Sequence, residues 1–156
     1  MNIAALETLL NSPAANGEVR RDLRHHLAKM LVRLEKRSEA EAEFKGILAE
    51  YPTFSAGRLQ LARILNKTKR KSEALDECWK IINQHQTDQI PVAAPILLEA
   101  LRLVATLGSS ADLKSCEELI ISSLVDAREF DNALTLRLIA SVAQKTWYTM
   151  PDLVTR

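Results

Sequence analysis

The 156-residue chain has few of the residues that punctuate or decorate most folds: four glycines, five prolines, two cysteines and seven Phe, Trp and Tyr residues. So few glycines and prolines leave few tight turns, which argues for helices and against a many-stranded sheet or a disordered tail. The aromatics, at Phe44, Tyr51, Phe54, Trp79, Phe130, Trp147 and Tyr148, form no interleaved series on which the bases of a single strand could stack. Cys78 and Cys116 lie in apolar-periodic segments with no Cys-x-x-Cys or Cys/His spacing around them. They read as buried, reduced thiols. No apolar run reaches the roughly 18–20 residues of a membrane span. Acidic Glu7 stands where a secretory leader would carry basic residues, and a cytoplasmic location is expected. Charge of one sign is also scarce, since 21 Lys/Arg and 20 Asp/Glu give a net +1. The balance is uneven: residues 1–90 carry 15 basic against 12 acidic side chains, and residues 91–156 carry six against eight. The first half can accommodate an acidic partner without demanding one.

What the sequence does have is an internal repeat. Residues 21–52 and 55–86 align without a gap at a step of 34. Arg24, Leu27, Ala28, Leu31, Ser38, Glu39, Ala40, Glu43 and Ile47 recur as Arg58, Leu61, Ala62, Leu65, Ser72, Glu73, Ala74, Glu77 and Ile81. Unrelated segments of this length share about two identities by composition alone. Most intervening substitutions, such as Lys29/Arg63, Met30/Ile64 and Arg33/Lys67, keep charge or apolarity.

A two-helix unit of this period, with a Leu-Ala pair and a further Leu in its first helix, an Ala opening its second and a Pro closing it, resembles the tetratricopeptide repeat. Leu27, Ala28, Leu31, Ala40, Phe44 and Pro52 carry the resemblance in the first unit, and Leu61, Ala62, Leu65 and Ala74 in the second. The second unit departs from the pattern at Cys78, where the family has a large apolar residue, and at Gln86, where Pro would fall; both units lack the glycine common between the helices. The resemblance implies an all-α fold, a right-handed helical-hairpin solenoid.

Along the chain, periodicity and punctuation predict eight helices in one domain: a short one over 2–11, the pairs 18–34 with 37–50 and 54–67 with 71–85, and then 95–107, 110–125 and a last one from Asp126 to near Trp147. Residues 1–16 form an N-terminal helix and linker, 17–88 the two units, 89–147 degenerate or capping helices, and 148–156 a tail. Asn2, Ser38 and Ser72 are expected caps, Ser109 to Asp112 a capping box, Pro95 a first-turn proline and Gly108 a stop.

No catalytic constellation is visible. Neighbouring His25 and His26 diverge by about 100° on a helix and cannot share a metal, and His85 lies far along the chain. There is no Gly-rich phosphate loop, no Gly-x-Ser-x-Gly elbow and no His-Glu-x-x-His. Glu39, Glu41 and Glu43 read as the wet face of a helix. No cofactor and no metal are expected, and the chain reads as a non-enzyme.

The resemblance implies that the first helices of successive units line a concave groove. At 100° per residue, His25, Lys29 and Arg33 lie away from Leu27, Ala28 and Leu31, and Leu59, Arg63 and Lys67 take the matching places. With Asn66 adding an amide and Asp22 at the rim, the groove is expected to be basic and to receive a protein or peptide segment, an acidic one fitting best. Family members that clamp a terminal carboxylate place Lys and, four residues later, Asn where this chain has His25 and Lys29, so that clamp is not expected here. Two other readings compete with recognition in the groove. One is an N-terminal accessory domain of a larger enzyme such as a transferase. The other, nucleic-acid binding, rests on the basic turn from Lys67 to Lys71.

Overall fold

The computed structural model describes residues 3–126, and within them the backbone forms seven α-helices and no strand. These are α1 (Ile3–Leu10), α2 (Gly17–Arg33), α3 (Arg37–Glu50), α4 (Ser55–Lys67), α5 (Lys71–Gln86), α6 (Ala94–Leu107) and α7 (Ser110–Asp126). The expected helix beyond Asp126, the tail and the Asn2 cap lie outside the described residues. The chain divides into two compact units, Met1–Pro91 and Val92–Arg156.

In the first unit each helix packs on the next, α1 on α2, α2 on α3, α3 on α4 and α4 on α5. The repeat identities explain how. Ala28, Ala40, Ala62 and Ala74 are completely buried, at places where a larger side chain would hold the helix axes apart. Around them Leu31, Phe44, Ile47, Leu61, Leu65, Cys78 and Ile81 fill the core. Tyr51 ties the α3–α4 loop back to the start of α2, its hydroxyl donating to the Gly17 carbonyl at 2.9 Å. Buried Gln84 anchors α5 to the same loop by donating to the Thr53 carbonyl at 3.0 Å.

The ends of α2 and α4 are built alike. The Glu35 amide donates to the Val32 carbonyl and the Lys36 amide to Leu31, and the Lys69 and Arg70 amides donate in the same way to Asn66 and Leu65. This is the double closure of a Schellman motif. It requires a left-handed residue, and Glu35 (φ 60°) and Lys69 (φ 63°) occupy that position in the two turns. Glycine adopts it without a Cβ clash. Glu35→Gly and Lys69→Gly should therefore each raise stability, by roughly 0.5–1 kcal/mol in urea melts, and a loss of stability would show that the two side chains support their turns.

Ser38 and Ser72 do not cap. Their helices begin one residue earlier, behind Lys36 and Arg70, with no side-chain cap bond. Glu39 and Glu73 pair instead with Lys36 and Arg70 across one turn, and nothing in the structure explains the recurrence of the two serines.

In the second unit α6 packs on α7. Pro95 lies in the first turn of α6. Ser109 and Asp112 form a reciprocal capping box: the Ser109 amide donates to the Asp112 carboxylate at 2.7 Å, and the Asp112 amide to the Ser109 hydroxyl at 3.3 Å. Gly108 ends α6 in an extended conformation, and it is glycine for space, because a Cβ there would come within 2.6 Å of both Asp112 Cβ and the Val104 carbonyl oxygen. Ala100, Leu103 and Cys116 are buried in this hairpin. Burial pushes the Cys116 thiol up to about 11, with Asp112 adding to the shift, so it is inert at neutral pH.

Candidate functional site

The seven residues expected to line a groove divide by environment. Leu59 is 5% exposed and belongs to the core of α4. His25, on α2, is half-buried: its ring meets Phe44 of α3 edge-on at 5.7 Å between centroids and Phe54 of the α3–α4 loop at 5.2 Å. Its Nδ1 is buried without a hydrogen-bond partner among the described residues. Lys29, Arg63 and Asn66 are partly exposed, and Arg33 and Lys67 are exposed. The side chains of Lys29, Arg33 and Lys67 make no hydrogen bond or ion pair with another described residue. Asp22, the expected rim acid, is matched by Arg21 at 2.9 Å.

The cage around His25 explains its chemistry. Phe44 and Phe54 withhold water from the ring, and Lys29, His26 and Arg21 oppose a positive charge there, with Asp22 alone favouring one. Burial and these neighbours push the imidazole down to about 4 from its usual 6.5. The Arg21 guanidinium lies over the Phe54 ring at 4.7 Å. The unfolded chain takes up the proton that the folded chain refuses, so the contribution of neutral His25 is complete above about pH 6.5 and is lost as pH falls toward about 4. For a half-buried ring, with solvent screening allowed for, the loss should be on the order of 1–2 kcal/mol. Denaturant melts from pH 7 to 4.5 should show this slope in the wild type and lose most of it in His25→Leu; an unchanged slope would place the titration elsewhere.

The acidic residues of α3 are the signal that the sequence pattern misassigned. Glu43 accepts from Arg24 at 2.5 Å and its repeat counterpart Glu77 accepts from Arg58 at 2.7 Å, so the recurring Arg and Glu, 19 residues apart, bind the first helix of each hairpin to the second. Burial works against the charge on Arg24, but the Glu43 and Glu50 carboxylates outweigh it and hold the guanidinium pKa above its usual value. Glu41 takes Lys45 at 2.7 Å and both oxygens face Arg70 at 2.8 and 2.9 Å. Those hydrogen bonds, Lys45 first, hold its carboxyl below the usual range. The Glu41–Arg70 contact also fixes a geometry: it sets the α4–α5 turn beside the opening turns of α3, so the α2–α3 and α4–α5 turns share one edge of the unit. The chain matches no family model, no curated protein and no solved structure.

Proposed function

We propose that the helical hairpins of residues 17–86 form a protein-recognition module of the tetratricopeptide type, which binds an acidic segment of a partner through the faces of α2 and α4 that bear Lys29, Arg33 and Lys67. The observation that carries the reading is the unequal treatment of charge. Arginines and glutamates that recur at packing positions are paired within the hairpins, whereas these three cations have no partner among the described residues. Exposed uncompensated charges add little to a fold but steer an oppositely charged partner toward it.

Selection from a random peptide-display library tests the reading. Wild type should enrich acidic segments, with affinity that falls as salt rises. The reversal Lys29→Glu with Lys67→Glu should leave the melting curve nearly unchanged and lower affinity for the enriched peptides at least tenfold. Enrichment of apolar helices with no preference for charge would overturn it.

A further inference from the structure

The positive excess of the first unit is not spread over it. Residues 33–39 and 67–73, the two turns and the helix ends beside them, hold seven Lys/Arg against three Asp/Glu, while the rest of residues 1–90 holds eight against nine. The whole excess therefore lies on the one edge that the Glu41–Arg70 contact brings together. Three of its cations are already committed: Lys36 to Glu39, Arg37 to Glu35, and Arg70 to Glu41 and Glu73. The other four, Arg33, Lys67, Lys69 and Lys71, are exposed, and their side chains make no hydrogen bond or ion pair with another described residue. Lys69 projects from the left-handed position of its turn, beyond the end of α4.

We propose that this turn edge is where the partner's carboxylates dock, with Arg33, Lys67, Lys69 and Lys71 as their ligands and Arg70 as the clamp that holds the edge together without touching the partner. The inference rests on the recognition of an acidic segment proposed above and locates it: the peptide's charged stretch lies across the ends of α2 and α4, and Lys29, a turn further back on α2, meets its less charged continuation. Charge complementarity selects the occupant. Glu35, Glu39 and Glu73 stand among the cations and would oppose a continuous phosphate backbone, whereas a peptide can place its carboxylates singly. Tyr51 and Phe54 stack with Arg21, and none of these four residues stacks on a ring among the described residues, so they offer no platform for bases.

Fluorescence anisotropy with a labelled oligo-glutamate peptide, on the full chain, tests the location. Lys69→Gln with Lys71→Gln removes charge from the edge alone, and Lys29→Gln removes it from the helix face alone. Both sites are solvent-accessible, and unchanged melting curves will show that the fold is kept. The edge variant should weaken binding roughly three- to tenfold and flatten its salt dependence, and Lys29→Gln should weaken it less than twofold. A loss confined to Lys29→Gln would overturn the edge and leave recognition of an acidic segment standing. No binding of the peptide by wild type would overturn both. Tighter binding of a labelled single-stranded oligonucleotide, lost in the edge variant, would replace the peptide with a nucleic acid.

Discussion

Phe44→Ala should lower the stability of the first unit by about 3–5 kcal/mol, while the corresponding change in the second hairpin, Cys78→Ala, should cost about 1 kcal/mol. The two side chains occupy the same place in the repeat and both are completely buried, so the difference measures how much of each core its residue fills. Removal of the phenyl ring leaves a cavity between α2 and α3 that a fixed backbone cannot close, whereas loss of one sulfur leaves a gap of about one methylene. The ring also forms one wall of the His25 cage, at 5.7 Å between centroids. Water admitted to that cage in Phe44→Ala should let the imidazole titrate nearer its ordinary range, and the acid-dependent part of the stability should shrink with it. Urea melts of both variants at pH 7 and pH 4.5 check the two effects together. Equal costs at residues 44 and 78 would show that the two hairpins are not packed on one plan.

Much of the fold was legible because the repeat writes each packing choice twice. The predicted boundaries 37–50 coincide with α3, those of α4 and α5 differ by one residue at one end and those of α2 by one residue at each end, since the apolar faces and the breaks at 34–36 and 68–70 are unambiguous. The serine caps were misplaced because a serine followed by acids resembles an N-terminus, while the Schellman closure one turn earlier starts the helix at Arg37 or Lys71, before the serine is reached. The third hairpin was legible as two helices through Pro95, Gly108 and the Ser109–Asp112 box, all of which stand where the punctuation places them.

The candidate site was less legible, for a physical reason. A helical wheel ranks residues by angle from one apolar face, but α2 is approached both by α3 and by the loop before α4. His25, opposite the Leu/Ala stripe, is thus covered by Phe44 and Phe54. Leu59, one turn before Arg63, is likewise buried. The converse error concerned Glu41 and Glu43, whose regular spacing resembles a solvated face. The signal that separates them from true surface acids was already in the repeat: Glu43 recurs with Arg24 at a fixed separation of 19, and a charge that recurs together with its opposite is a pair before it is a surface.

That pair supports the second large expectation. Arg58 and Glu77 are each 13% exposed, closer to interior than to surface, and their 2.7 Å contact joins α4 to α5. Truncation of one partner strands the other in a poorly solvated place, which costs more than the pair itself contributes. The two halves should not be equivalent. Glu77 has a second cation in Lys80 at 2.6 Å, which is exposed enough to follow it, whereas Arg58 falls back on the Pro52 carbonyl at 2.6 Å and already has a buried Nε without a partner. Glu77→Leu should therefore cost roughly 3–4 kcal/mol and Arg58→Met roughly 2–3 kcal/mol, while the double variant, with no stranded charge and a bulkier apolar contact, should lie within about 1–2 kcal/mol of wild type. A coupling energy of about 3 kcal/mol or more from the four melts would establish the Arg-Glu recurrence as the polar fastening of each hairpin. Additive single costs would mean that the two side chains stabilise their helices separately, and that the fixed separation of 19 reflects packing at each position and not the bond between them.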